Sequence, residues 1–219
     1  MSDIKNLSYV EKKFLDTFSS DDTIKAYEQW QSLYPFEKAI IHDFINKKSD
    51  VIEFGCGAGR IGYYVACICN NYVGVDIIPE MIMLAKKKHP LLNFYIKDVC
   101  ETFTNKNKYS CVLFMHNGID SIFPSSRRAM VFKNVLNILK RNGIFIYSTH
   151  LYAKNHHVWI DSCHHKYYQE IYHGKKIWLH RMSKEEAILE AESFGFNVKK
   201  SIEIEIGKDR WLYIIAKLL

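Results

Sequence analysis

Asp50-Val51-Ile52-Glu53-Phe54-Gly55-Cys56-Gly57-Ala58-Gly59-Arg60 is the stretch from which the fold of this 219-residue chain can be read. Its first five residues form a short apolar run that reads as a buried strand. Three alternate glycines follow, and then the helical IGYYVACICN (61–70). Glycines at a strand-to-helix junction permit a tight turn and let a ligand approach the backbone closely. In open α/β sheets that crevice, beyond the strand C-termini, is where ligands bind. Gly57-x-Gly59-x-x-Gly62 also fits the dinucleotide fingerprint, a pattern of low specificity when it stands alone.

Moving outward from the loop, strand and helix patterns alternate. NYVGVD (71–76), NFYIKD (93–98), YSCVLFMH (109–116) and IFIYSTH (144–150) read as strands, and PEMIMLAKKKH (79–89) reads as a helix. RRAMVFKNVLNILKRNG (127–143) has helical periodicity and a glycine stop. Such alternation predicts a parallel sheet with helices on both faces. The end differs: SKEEAILEAESFGF (183–196) opens with Ser183 and Glu186 in a capping box, and VKKSIEIEI and RWLYIIAKL are separated only by GKD, which is hairpin spacing. Upstream, helices are expected at about 9–19 and 22–46, with Pro35 placed to start a new helical turn after a break.

Composition restricts the rest. With 48% hydrophobic and 25% charged residues the chain is neither disordered nor fibrous. No run approaches the ~20 apolar residues of a membrane helix, and the N-terminal MSDIKNLSYVEKKF lacks the apolar core of a signal peptide. The cysteines at 56, 67, 69, 100, 111 and 163 form no C-x-x-C pair and sit mostly in apolar runs. A reducing, cytoplasmic setting is the expectation. The net charge of +6 comes from short scattered lysine groups, so nucleic acid is not an expected partner.

The wider frame of the loop is similar to the first motif of class I S-adenosylmethionine-dependent methyltransferases, which have an acid two residues before the first glycine. Gly74-Val75-Asp76 followed by I-I-P-E-M-I-M-L-A-K resembles that family's second motif. Lys97-Asp98-Val99, Met115-His116-Asn117-Gly118-Ile119-Asp120, Lys140-Arg141-Asn142-Gly143 and the final antiparallel hairpin continue the resemblance in order over roughly residues 30–219. It implies a single Rossmann-like domain spanning 1–219: a doubly wound, seven-stranded, mostly parallel sheet ending in an antiparallel hairpin. Residues 1–46 would form a helical cap and 151–182 a substrate-binding insertion. It also implies S-adenosylmethionine as cofactor, with S-adenosylhomocysteine as its product. Glu53 would hold the ammonium, and Gly55, Cys56, Gly57, Gly59 and Arg60 would form the loop against the cofactor. Asp76, followed by Ile77, would accept both ribose hydroxyls, since a carboxylate offers two acceptor oxygens. Asp98 would bond the adenine amino group with Val99 packing on the ring, Asn117 would border the cofactor, and Tyr34 would fold over it.

The methyl acceptor should sit at the end of the fourth strand. Methyltransferases acting on base or amide nitrogens usually carry Asn/Asp-Pro-Pro-aromatic there. This chain has His116-Asn117-Gly118-Ile119 instead, which looks more like the enzymes that methylate oxygen or nitrogen of small metabolites. His116 and His150 end parallel strands and are the candidate general bases and cofactor neighbours. Seven of ten histidines fall within 150–180, a segment with five Lys/Arg up to Arg181 but only Asp161 and Glu170 as acids. That segment fits either a pocket for an anionic acceptor or an exposed basic hairpin turning at His173-Gly174-Lys175. His156, His157, Cys163, His164 and His165 could be considered for zinc, but adjacent histidines on a strand face opposite ways, so no metal is expected. An RNA or protein methyltransferase, a non-catalytic cofactor-binding protein and a nicotinamide oxidoreductase are the alternatives.

Overall fold

The computed structural model describes residues 9–104, 106–152, 158–160 and 166–218. Five strands make a parallel core: β1 (Asp50–Phe54), β2 (Asn71–Asp76), β3 (Asn93–Ile96), β4 (Tyr109–Phe114) and β5 (Leu139–Leu151) lie in the order 3-2-1-4-5. The hairpin strands β9 (Phe196–Ile206) and β10 (Asp209–Leu218) complete the far edge, with β10 antiparallel to β5 from Trp211↔His150 to Lys217↔Ile144. These seven strands are the expected sheet.

Alternation along the strands fills two cores. Val112 and Phe114 face a cluster with Val131, Phe132 and Val135 of α6 (Ser125–Ile138) and Ala187 and Ala191 of α7 (Lys184–Ser193). Cys111 and Leu113 face the other cluster, with Ile40 and Ile41 of α3 (Pro35–Phe44), Ile61 and Val65 of α4 (Arg60–Ala66), and Ile82 and Ala85 of α5 (Pro79–Lys88). Side chains of successive strand residues point to opposite faces, so one strand serves both layers.

Three departures from the sequence reading stand out. The helix expected through Gly143 ends at Ile138, and Lys140-Arg141-Asn142-Gly143 belongs to β5. Asn142 adopts a left-handed φ of 64°, where the ladder with β4 also shifts register between Tyr109 and Cys111. Asn tolerates that conformation as glycine does, so N-G, taken for a helix stop, marks an irregularity in a strand. The helical stretch 22–46 is two helices, α2 (Asp21–Gln29) and α3, the second starting at Pro35 as expected; α1 (Tyr9–Phe18) precedes them.

The third departure concerns the segment before α7, which adds β6 (Val158–Ile160), β7 (Lys166–Tyr172) and β8 (Lys175–Met182) to the sheet. The turn at His173 and Gly174 has φ of 46° and 74°, so the expected hairpin is present. β8 joins β5 in parallel through His150↔Arg181 and Leu151↔Met182. His150 already pairs with Trp211 on the other side. β8 therefore occupies the edge of β5 beyond the end of β4, above the crevice. α1 packs on this hairpin: Phe18 stacks on Tyr172 with centroids 5.0 Å apart, and Lys175 Nζ donates to Asp16 O at 3.1 Å.

Candidate active site

The glycine loop is held from two sides. Asp76, at the end of β2, accepts the Gly57 N–H on Oδ2 and the Ile78 N–H on Oδ1, each at 2.9 Å. Each oxygen keeps a second lone pair for a ligand. Burial raises the Asp76 pKa, and the main-chain donors at Ile78, Gly57 and Ile77 oppose that rise. On the outer side, Tyr27 of α2 covers the loop. A Cβ at Gly57 would lie 3.2 Å from the Tyr27 ring on a backbone with φ of 51°, so glycine suits this position on both counts.

Glu53, the acid of the loop motif, is buried beneath it and accepts the Tyr72 hydroxyl at 2.5 Å. A Cβ at Gly62 would sit 2.1 Å from that hydroxyl. Gly62 is therefore the space that Tyr72 fills, which accounts locally for the third glycine of the apparent dinucleotide pattern. Burial pushes the Glu53 carboxyl up to about 8, partly offset by the Tyr72 hydrogen bond and by Arg60. The unfolded chain ionises this group near pH ~4.3. Between those values the native state binds the extra proton, so the contribution of Glu53 to stability is lost as pH rises through about 8. Urea unfolding at about pH 6 and about pH 9 should show Glu53→Gln losing less stability than the wild type over that interval. Equal losses would mean that Glu53 is ionised in the native protein throughout.

Around the loop, two ion-pair clusters fix the helical cap. Arg60 grips the fully buried Glu37 of α3 with both nitrogens, at 2.6 and 2.8 Å, and its guanidinium lies 4.0 Å from the Trp30 ring centre. The Tyr34 N–H donates to the same Glu37. On the opposite side Arg127 bridges Asp98 at 2.5 Å and Glu11 of α1 at 2.7 Å, while the other Asp98 oxygen accepts the Cys100 N–H.

Beyond β4 the chain turns through His116 and Asn117, both with left-handed φ, 56° and 58°. Two consecutive non-glycine residues in that region store strain, which tends to mark functional turns. His116 lies edge-on between Trp30 and Trp211, centroids 4.6 and 4.8 Å away. Burial, with Arg60 and His150 nearby, lowers its pKa to about 3. So weak a base suits hydrogen bonding better than proton removal. His150 meets a carboxylate that the sequence reading gave no role: Asp120, fully buried, accepts from His150 Nδ1 at 2.7 Å, the His150 N–H at 2.6 Å and the Thr149 hydroxyl at 2.6 Å. Its only sequence signal was an acid inside the apolar run G-I-D-S-I-F.

One cavity of about 390 Å3 connects these parts, within the roughly 300–1,000 Å3 typical of small-molecule sites. Of the expected site residues, Glu53, Gly55, Cys56, Gly57, Arg60, Asp76, Ile77, Asp98, Val99, His116, Asn117 and His150 line it. Tyr34 and Gly59 do not: Tyr34 caps α3 and packs on Phe36, and a Cβ on Gly59 would meet Phe94. Trp30, which the sequence placed beside Tyr34 in the segment over the cofactor, and Arg181 of the insertion take part in the wall, as do Tyr27 and Trp211, which were not expected there. Signal for them was weak, since amphipathic helices and hairpins carry aromatics for packing anyway. His156, His157, Cys163, His164 and His165 lie outside the described residues. Among the described residues no group of ligands could hold a metal ion, and no helix is long and apolar enough to cross a membrane.

Residues 51–143 match a family described as "Methyltransferase domain". That match takes in β1 to β4 and the start of β5, the parallel core around the glycine loop. The chain is 22% identical over 139 residues to a protein described as "Putative methyltransferase" from Geobacillus sp. (strain WCH70), covering 62% of this chain and 56% of that one. It thus spans little more than half the length of the curated relatives it matches. By fold it is similar to the 1,6-didemethyltoxoflavin-N1-methyltransferase of Burkholderia thailandensis, solved with bound 1,6-didemethyltoxoflavin and S-adenosylhomocysteine: TM-score 0.72, 15% identity, 98% of this chain and 93% of that one. It is also similar to the [4+2]-cyclase SpnF, with TM-score 0.70, 10% identity, and 96% and 97% coverage.

S-adenosylmethionine is the cofactor that the motif resemblance implies, and residues lining the cavity are compatible with it. Asp76 keeps acceptor capacity at the end of β2, and Gly57 leaves room that a Cβ would fill. Glu53 and Asp98 also line the cavity.

Proposed function

We propose that this chain transfers a methyl group from S-adenosylmethionine to an oxygen or nitrogen of a small polar metabolite in the cytoplasm. The observation that carries this reading is a single cavity running from the glycine loop and Asp76 to His116, Asn117, His150 and Trp211. α1 and the β7–β8 hairpin flank it, which suits a small acceptor better than an RNA or a protein. When bound, S-adenosylmethionine supplies an electrophilic methyl group. The chain's own residues align the acceptor and exclude water. Asp76 and the loop would hold the nucleoside, with Glu53 below the loop. The Trp30–His116–Trp211 aromatics would orient the acceptor, and His150, backed by Asp120, is the group at the acceptor end able to receive a proton.

Calorimetric titration with S-adenosylmethionine, S-adenosylhomocysteine and NAD tests the reading. Micromolar binding of both sulfur nucleotides and none of NAD is expected. Binding of NAD alone would return the loop to the dinucleotide class. A second reading has a specific observation behind it: the fold neighbour named as a [4+2]-cyclase shows that this architecture hosts other reactions. Cofactor binding without methyl transfer to any acceptor in a broad metabolite screen would favour that reading.

A further inference from the structure

Four residues lining the acceptor end of the cavity each carry a buried polar atom without a partner among the described residues: His116 Nδ1, Asn117 Oδ1, Trp211 Nε1 and Arg181 Nε. The orientation of one is fixed by its neighbours. Asp120 is a carboxylate that already accepts the His150 N–H and the Thr149 hydroxyl and pairs with Arg128, so it takes a hydrogen from His150 Nδ1. His150 Nε2 stands 3.2 Å from Asn117 Nδ2. An amide nitrogen only donates, so Nε2 is the acceptor there. The relay Arg128–Asp120–His150–Asn117 therefore turns the Asn117 carbonyl oxygen, a pure acceptor, away from His150 and leaves it for a ligand. Charge at this end is already matched: the Arg181 guanidinium pairs with Glu170 at 2.6 Å and Asp209 at 3.1 Å.

We propose that the methyl acceptor is an uncharged, flat molecule that donates an N–H or O–H to Asn117 Oδ1 and accepts from Trp211 Nε1–H, with Asp120 as the positioning residue that sets this preference through His150. The proposal rests on the methyltransferase reading for which end of the cavity takes the acceptor. A lactam, an amino-heterocycle or a phenol has the required donor. An ionised carboxylate or phosphonate has no hydrogen to give and would set its lone pairs against the Asn117 oxygen. A buried acceptor left without a donor is penalised, which makes this contact a selective one. The edge-on rings of Trp30, His116 and Trp211 supply the flat apolar surroundings.

The test uses protein saturated with S-adenosylhomocysteine, titrated by NMR with matched pairs: 2-quinolone against quinoline-2-carboxylate, and nicotinamide against nicotinate. The neutral member of each pair should bind at least about tenfold more tightly, and Asn117→Ala should bring the pair to near equality. In parallel, nitrogen-15 spectra of His150 in the protein without added nucleotide should show the hydrogen on Nδ1, and Asp120→Asn should abolish both that state and the discrimination. Carboxylates binding as well as their neutral partners overturns the proposal. So does a hydrogen on His150 Nε2, an unchanged ratio in Asn117→Ala, or no detectable neutral binding in the millimolar range. A merely structural Asp120 would change stability and leave the discrimination intact. Failure of S-adenosylhomocysteine to bind refutes the methyltransferase reading instead, while the His150 spectra still decide the relay.

Discussion

Replacing Asp76 with alanine is expected to weaken S-adenosylmethionine binding by about 1.5–3 kcal/mol, roughly ten- to 150-fold in affinity. Two losses combine. The variant removes the acceptors proposed for the ribose hydroxyls, and it frees the N–H groups of Gly57 and Ile78 that now bind Oδ2 and Oδ1. The second loss loosens the loop before any ligand arrives, so ordering it is charged against binding. Calorimetry on variant protein with an unchanged circular-dichroism spectrum measures the sum. Unchanged affinity would mean that the Asp76 oxygens serve only the loop and that the ribose is held elsewhere.

The second large effect concerns stability. Arg128 is 1% exposed and holds Glu190 through Nε at 2.7 Å and Nη2 at 2.8 Å, the Ile119 carbonyl at 2.9 Å, and Asp120 at 3.4 Å. Arg128→Ala leaves Asp120 fully buried without its cation, and breaking a buried pair from one side costs on the order of 3–5 kcal/mol. Glu190 is less deeply buried, so Glu190→Gln should cost markedly less. Urea unfolding of both variants checks the order. Equal, small losses would show that Asp120 is neutralised by its hydrogen bonds to Thr149 and His150 alone.

The chain shows its sheet plainly because each parallel strand and following helix is coded locally, by apolar runs of five or six residues and a change of period. The glycine loop, Asp76 and the C-terminal hairpin were legible for the same reason. What escaped the sequence depends on distant partners. Asn142-Gly143 looks the same at a helix end and within an irregular strand; only pairing with β4 decides. Trp30 and Tyr34 are equivalent aromatics until the Arg60–Glu37 pair fixes which reaches the loop. Asp120 gains meaning only when β4 and β5 bring it to His150, 30 residues away.

The junction between β8 and β5 has an evolutionary consequence. Among the described residues the ladder joining the β6–β7–β8 unit to the parallel core consists of two pairs, His150↔Arg181 and Leu151↔Met182. Among the described residues the half from Asp50 to Val99, proposed to bind the nucleotide, shares no ladder with it. Under the proposed function, mutations in β6–β8 therefore remodel one wall of the acceptor pocket while the strands around the glycine loop keep every pairing they have. If the chain methylates as proposed, so short a ladder lets a lineage change its acceptor without first relearning how to hold the methyl donor.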